Sequence, residues 1–169
     1  LEPQLGIVEI PGYRRFVMAD IPGLIEGAAE GAGLGIQFLR HLARTRLLLH
    51  LVDVSPYSDS GDPVRDVGII LGELAKYDAE LAERERWLVL NKLDLVPAEQ
   101  RAARVAEIVT ALDWRGPVFA ISAAEREGTE ILMQAVMERL EERRRAELAA
   151  SPNQPAPPED ETSDARQDT

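Results

Sequence analysis

The chain alternates between short apolar runs of strand length and longer segments in which apolar residues recur every three or four positions. Residues 5–10 and 15–19 are two such runs, and Pro11-Gly12-Tyr13 separates them, which predicts a β-hairpin or ribbon. Residues 47–54 (LLLHLVDV) form a continuous apolar run, as expected of a strand buried on both faces. Further buried strands are predicted at 87–90 and 118–121.

Helical periodicity follows the predicted strands. Residues 37–46 have helical composition, and apolar residues recur at helical spacing in 64–81 and 98–112. A last helix is predicted from Thr129, as its cap, to about Glu147. Alternating strands and helices predict parallel βα units, and such sheets bind ligands at the carboxyl ends of their strands.

Two segments show neither strand-length apolar runs nor helical periodicity. Residues 21–35 contain five glycines and are predicted to form a loop. From Ser151 onward the chain is rich in Pro, Glu, Asp, Ser and Gln and has no large apolar residue, so it cannot offset the entropy of ordering. We therefore predict one folded domain over residues 1–147 and a disordered acidic tail over residues 148–169.

The composition excludes several classes of function. The 169 residues are 45% hydrophobic, enough for one core, and the formal net charge is −11. Such a charge argues against purely electrostatic binding to nucleic acid or to an anionic membrane. There is no cysteine, which excludes disulfides and thiolate metal sites, and no apolar run approaches the ~20 residues needed to span a bilayer. We expect a cytoplasmic protein that does not associate with membranes.

Polar residues follow three of the predicted strands. Asp20-Ile21-Pro22-Gly23 follows the second strand, Asn91-Lys92-Leu93-Asp94 the fourth, and Ser122-Ala123-Ala124 the fifth. In order and spacing they resemble three motifs of a GTPase domain. Each could by itself be a turn or a helix cap, but three successive strand ends are harder to explain in that way.

The tetrapeptide at residues 91–94 is the candidate base site. Guanine presents two adjacent donors, its ring N1–H and its exocyclic amine, and the Asp94 carboxylate can accept from both. Adenine has an acceptor where guanine has the ring donor, so it would be repelled. Lys92 would lay its aliphatic stem along the base, and Asn91 would brace neighbouring backbone. The alternative is that Asn91 and Asp94 are cap or turn residues.

The other two motifs would complete a nucleotide site. Ser122-Ala123-Ala124 would support the base, with the Ala123 amide donating to the guanine carbonyl. Asp20 could hold Mg²⁺ through water, because Mg²⁺ keeps much of its hydration shell. The Gly23 amide could approach a phosphate oxygen, since glycine has no side chain in the way. Small-residue and Pro-Gly turns are the structural alternatives.

The chain resembles the Obg family of bacterial GTPases. The resemblance is carried chiefly by residues 20–42 (DIPGLIEGAAEGAGLGIQFLRHL), and residues 47–54 and 87–95 (WLVLNKLDL) are also similar to their counterparts in that family. It covers roughly residues 1–140.

The resemblance implies a P-loop GTPase-like, three-layer α/β fold with a mostly parallel sheet. The implied ligands are GTP or GDP with Mg²⁺, and the implied activity is Mg²⁺-dependent hydrolysis of GTP to GDP and phosphate. The implied role is that of a monomeric switch in large ribosomal subunit assembly. No catalytic residue is assigned, because Leu24 stands where many GTPases place a water-positioning glutamine. The alternative is a non-catalytic module that binds the ribosome or a regulator.

The sequence departs from the family at its beginning. No G-x-x-x-x-G-K-S/T occurs in the 169 residues. By resemblance, the first strand, the phosphate loop and the first helix of the domain are missing. That strand would lie beside residues 15–19 and 47–54, so its absence predicts two strand edges facing a gap. We expect these residues alone to be poorly stable and inactive. His41 and His50 are interpreted as packing or surface residues.

Overall fold

The structure is a computed structural model that describes residues 4–20, 45–57, 61–77 and 79–150. In chain order its strands are Gln4–Ile10 (β1), Arg14–Asp20 (β2), Leu48–Asp53 (β3), Arg86–Asn91 (β4) and Val118–Ala120 (β5). Its helices are Pro63–Tyr77 (α1), Ala79–Glu83 (α2), Ala98–Ala111 (α3) and Thr129–Ala150 (α4), with a short 3-10 helix at Leu93–Leu95.

The predicted ribbon is confirmed. β1 and β2 pair antiparallel, with Gln4 opposite Asp20 and Ile10 opposite Arg14. The turn between them places Gly12 at a φ of 94° and Tyr13 at a φ of 60°. Two consecutive positive φ angles give a turn whose twist matches that of the paired strands.

The other three strands form the predicted parallel sheet, in the order β3-β4-β5. β4 is central, and its residues 87–90 are all buried, which explains why they read as a continuous apolar run. Leu88 and Leu90 pack on one face, and Trp87 and Val89 pack on the other.

Helices cover both faces of this sheet. Val67 of α1 and Ile108 of α3 lie in the cluster with Leu88, and Leu132 and Val136 of α4 lie in the cluster with Trp87. This arrangement of helix, sheet and helix confirms the three-layer α/β architecture. It also leaves the carboxyl ends of β3, β4 and β5 together at one edge, because the three strands are parallel.

The predicted gap lies between β2 and β3. Within the described ranges β1-β2 and β3-β4-β5 are separate sheets, and no described strand joins them. A cavity of about 1260 Å³ lies between them, and residues of both β2 and β3 line it. Ile70 and Leu74 of α1 border it on one side, and Val136 and Leu140 of α4 border it on the other. The cavity therefore lies in the plane of the sheet, between its two helical layers.

Several predicted elements need correction. One helix was predicted over 64–81, but α1 ends at Tyr77 and α2 begins at Ala79. Residue 78, between them, lies outside the described residues. Thr129 does not occupy the N-cap position of α4 as predicted, because it is the first helical residue and the carbonyl of the preceding Gly128 accepts the first intrahelical hydrogen bond, from the Leu132 amide at 3.1 Å. That helix continues beyond residue 147 to Ala150.

The helix predicted at 37–46 falls mostly outside the described residues. Its last two positions, Thr45 and Arg46, are described and are not helical. Their carbonyls accept hydrogen bonds from the side chains of Arg84 and Arg143 instead. The glycine-rich loop at 21–35, Leu24, His41 and the tail from Ser151 also lie outside the described ranges. Within those ranges no helix has the length and apolar character needed to cross a bilayer.

Candidate functional site

The carboxyl edge of the parallel sheet brings together two of the three predicted motifs. Asp53, the last residue of β3, lies opposite Asn91, the last residue of β4. β5 ends at Ala120, which lies opposite Leu90, and the Ser122 loop follows it. Asn91-Lys92-Leu93-Asp94 and Ser122-Ala123-Ala124 are therefore neighbours in space, as the alternating pattern predicts.

A sharp change of backbone direction follows β4. Lys92 has a φ of 67° and a ψ of 35°, a left-handed conformation that is uncommon for a residue with a side chain. The 3-10 helix begins at the next residue. Leu93 is buried in the core, and its amide donates to the Ile121 carbonyl at 3.1 Å. Leu93, which was included among the candidate binding residues, thus anchors the segment with its side chain turned into the protein.

Asp94 has a buried oxygen without a partner. Its Oδ1 is inaccessible to solvent and accepts no hydrogen bond in the described structure. Buried carboxylate oxygens are rarely left without a donor, since an unpaired buried polar group costs roughly 1–3 kcal/mol and a charged one more. This unsatisfied acceptor lies in the 3-10 helix just after β4, and because it is closed to solvent in this conformation, a ligand with N–H donors would reach it only after neighbouring atoms move.

The alternative that Asn91 and Asp94 are helix caps is not supported. α3 has Pro97 at its N-cap position, and the 3-10 helix is preceded by Lys92, with no side-chain cap on either helix. The Asn91 Oδ1 instead accepts a hydrogen bond from the Ala123 amide at 3.0 Å. Asn91 therefore braces the neighbouring loop, which is the role predicted for it.

Ser122 holds that loop closed. Its side chain is fully buried, and its Oγ accepts a hydrogen bond from the Glu125 amide at 3.1 Å. Its own amide donates to the Glu127 carbonyl at 3.0 Å, in a bridge that closes the loop. Ala123 and Ala124 are exposed above it. The Ala123 amide, predicted to donate to a guanine carbonyl, already donates to Asn91, so that role requires the bond to be shared or exchanged.

The third motif is described only at its first residue. Asp20 is the exposed last residue of β2 and borders the cavity between the sheets. Ile21, Pro22 and Gly23 lie outside the described residues, as does the rest of the 20–42 stretch. In the described part of the chain, no three or more His, Asp or Glu side chains are grouped to hold a metal ion.

Asp53 was not predicted to belong to the site. Its Oδ2 accepts a hydrogen bond from the Lys92 ammonium at 2.7 Å, and its Oδ1 accepts one from the Ser55 amide at 2.9 Å. Burial raises the pKa of the Asp53 carboxyl, but the hydrogen bonds from Lys92 and Ser55 outweigh it, so the pKa lies below its ordinary value. The signal in the sequence was an acidic residue at the end of the apolar run 47–54.

The fold and the strand-end residues define an α/β protein of the P-loop GTPase class. Solved structures with this fold include an Era variant from Aquifex aeolicus bound to GDP·AlF4⁻, with 18% sequence identity and a TM-score of 0.55. The match covers 80% of this chain and 44% of the Era chain, so this chain spans less than half of Era's length. Nucleolar GTP-binding protein 1 of Plasmodium falciparum matches with 15% identity and a TM-score of 0.54, over 86% of this chain and 73% of its own.

Residues 1–92 match the sequence model of the 50S ribosome-binding GTPase family. The chain belongs to that family. The matched residues include both strands of the ribbon, Asp20, β3, β4 and the Asn91-Lys92 pair.

Proposed function

We propose that this chain supplies the base-recognition half of a guanine-nucleotide site, in a protein that hydrolyses GTP to GDP and phosphate. The observation that carries the proposal is the buried, unpartnered Oδ1 of Asp94 in the 3-10 helix that follows β4. Membership of the 50S ribosome-binding GTPase family supports a guanine nucleotide as the ligand.

Asp94 favours guanine for a chemical reason. The ring N1–H and the exocyclic amine of guanine can donate to the two oxygens of one carboxylate, which satisfies the oxygen that is now unpaired. Adenine would oppose the carboxylate with an acceptor and leave it buried and unpaired. Sites built around such hydrogen bonds discriminate against a ligand that lacks them by roughly 10⁴-fold or more.

Asn91 and Lys92 position the walls of the pocket. The bond from the Ala123 amide to Asn91 Oδ1 fixes the Ser122 loop beside the end of β4. Lys92 lies between Asn91 and the 3-10 helix that carries Asp94, so its aliphatic stem is available to cover one face of a bound base. The stem supplies apolar contact, and Asp94 supplies the hydrogen bonds that select the base.

Asp20 is the residue we assign to the phosphate side. As the last residue of β2 it borders the cavity next to β3, and its carboxylate is exposed. A single carboxylate suits Mg²⁺, which is commonly held by one or two carboxylates together with water and phosphate oxygens. When bound, Mg²⁺ would offset the negative charge of the phosphates. We assign no catalytic residue.

The finer role we propose is that of an Obg-type, cytoplasmic, monomeric switch in assembly of the large ribosomal subunit. It is supported by the resemblance of residues 20–42 to the Obg family and by the family's designation as 50S ribosome-binding. Cosedimentation of the full-length protein with 50S subunits, compared in GTP and GDP, tests it. Equal association in both nucleotides would contradict a switch.

The base site is tested by Asp94→Asn in the full-length protein. The change replaces one acceptor oxygen with an amine at nearly constant shape, so guanine's exocyclic amine would face a donor. Xanthine has a carbonyl at that position and would gain a partner. We expect competition binding to show a loss of GTP affinity and a gain in relative affinity for xanthosine triphosphate.

A matched control is Asp113→Asn, at an exposed position where Asp113 pairs with Arg115 in the α3–β5 loop. It should leave both affinities unchanged. If Asp94→Asn retains the preference for GTP, Asp94 does not read the base and the proposed site is wrong. Nucleotide binding without turnover would favour the alternative of a non-catalytic module.

A further inference from the structure

Asp53 and Lys92 belong to adjacent strand ends. Asp53 lies opposite Asn91 in the parallel pairing of β3 with β4, and the Val54 amide donates to the Asn91 carbonyl at 3.1 Å. This register brings the side chain of Lys92, one residue further on, back over the end of β3. The two side chains meet at 2.7 Å, although 39 residues separate them in the sequence.

The Asp53 carboxylate is held at both oxygens. Oδ2 accepts from Lys92 and Oδ1 accepts from the Ser55 amide. Only 26% of its side chain is exposed, against 52% for Lys92. The acid is thus the fixed partner of the pair, and the lysine is the side chain whose position the pair determines.

Lysine needs such a partner if its stem is to form a wall. Its four-carbon stem is flexible, and an exposed ammonium samples many rotamers that binding of a flat ligand would have to restrict. The left-handed backbone of Lys92 sets where the stem begins, and the bond to Asp53 sets where it ends. A stem fixed at both ends lies in place before the ligand arrives.

We propose that Asp53 is a positioning residue of the base site, which fixes the Lys92 ammonium so that the lysine stem is pre-organised to cover the bound base. This inference rests on the proposed function, since it assigns Lys92 the same place in the pocket. Asp53 itself does not touch the nucleotide. Its contribution is therefore to affinity for any planar base and not to the choice between bases.

The competing explanation is that Asp53 only stabilises the turn after β3 through the Ser55 amide. A double-mutant cycle in the full-length protein separates the two, with Asp53→Asn, Lys92→Met and the double variant. Asparagine retains an oxygen that can accept from Ser55 but loses the charge that pairs with Lys92. Methionine retains most of the aliphatic stem of lysine but has no ammonium.

We expect Asp53→Asn to weaken GDP binding by about three- to tenfold, because the Lys92 side chain loses one contact that orders it before the ligand binds. In the Lys92→Met background the same change should alter GDP affinity by less than about twofold, because its partner is absent. The ratio of GTP to xanthosine triphosphate affinity should not change. Asp113→Asn is the control for loss of an exposed aspartate charge elsewhere.

An unchanged GDP affinity in Asp53→Asn, or an equal loss in both backgrounds, would overturn the positioning role. Failure of the base site itself has a different signature, namely Asp94→Asn without a shift toward xanthosine triphosphate. In that case the proposed base site is wrong, and the proposed role of Asp53 is wrong with it. If Asp94→Asn shifts the preference and the cycle shows no coupling, only the inference about Asp53 is wrong.

Discussion

Asn91 and Ala123 are joined by a hydrogen bond, from the Ala123 amide to Asn91 Oδ1 at 3.0 Å, across 32 residues of sequence. The bond ties the end of β4 to the loop that follows β5. Because the Ser122 side chain and the Glu127 carbonyl close the same loop, its position relative to Asp94 is set from both ends.

Removal of this bond should loosen the loop without unfolding the sheet. Asn91→Ala leaves the Ala123 amide without its acceptor, and we expect it to lose about 0.5–1.5 kcal/mol of protection in amide hydrogen exchange. Asn91→Asp is the matched variant, since its carboxylate can still accept from Ala123. Undiminished protection of Ala123 in the alanine variant would show that the loop is held by Ser122 alone.

Gly128 should be intolerant of any side chain. It has a φ of +72°, and a Cβ added to it would lie 2.8 Å from the Ala120 carbonyl oxygen at the end of β5. The left-handed backbone alone costs a residue with a side chain about 1–2 kcal/mol, and the contact with Ala120 adds to it. We expect Gly128→Ala to lower the free energy of unfolding by more than about 1 kcal/mol in urea titration.

Gly72 provides the opposite control. It lies in α1, it is exposed, and a Cβ added there would meet no atom within 4 Å. Gly72→Ala should stabilise the protein by up to about 1 kcal/mol, since glycine is a poor residue for a helix interior. If both alanine variants shifted the urea midpoint in the same direction, positive φ and crowding would not be the cause at Gly128.

β4 could be predicted as a strand buried on both faces, but the same prediction was wrong for β3 and β5. These strands are only partly buried, and the side chain of Leu51 in β3 is 57% exposed. Residues 87–90 are apolar without interruption because helices cover both faces of β4, and that relationship can be read from sequence. That Asn91 and Ser122 lie close together could be predicted from the parallel βα pattern alone. The gap between β2 and β3 was predicted in a different way, from the resemblance and the absence of a phosphate-loop sequence.

The contacts within the site could not be predicted, because they depend on register and on backbone angles. The pairing of Asp53 with Lys92 requires that Asp53 lie opposite Asn91, and nothing in the sequence fixes that alignment. The left-handed conformation of Lys92 is likewise not encoded by its residue type. That the Ala123 amide already donates to Asn91 is visible only in the structure.

The 169-residue chain by itself should bind GTP weakly. It has Asp94, the proposed base-reading acceptor, but no G-x-x-x-x-G-K-S/T sequence, whose backbone amides and lysine would hold the β- and γ-phosphates. We expect isothermal titration to show little heat at micromolar GTP. A sub-micromolar dissociation constant would mean that other residues of this chain hold the phosphates.

His50 should make the fold sensitive to mild acid. It lies in β3 with only 8% of its surface exposed, and its Nδ1 is buried without a hydrogen-bond partner. Burial, together with the nearby Arg86 guanidinium, lowers the pKa of His50 from 6.5 to about 4. The folded protein therefore keeps this imidazole neutral at a pH where the unfolded chain would protonate it.

The consequence is a loss of stability between pH 6.5 and pH 4. In that window the unfolded state binds a proton that the folded state does not, so the free energy of unfolding falls as the pH falls, by up to about 3 kcal/mol. Urea titrations at successive pH values should show this slope in the wild type and a flatter one in His50→Leu. Glu85→Gln is the control. Hydrogen bonds from Arg139 and Trp87 lower the pKa of Glu85, so the stability that Glu85 contributes to the folded protein is lost only below pH 4.5. A slope that is unchanged in His50→Leu would assign the acid sensitivity to another group.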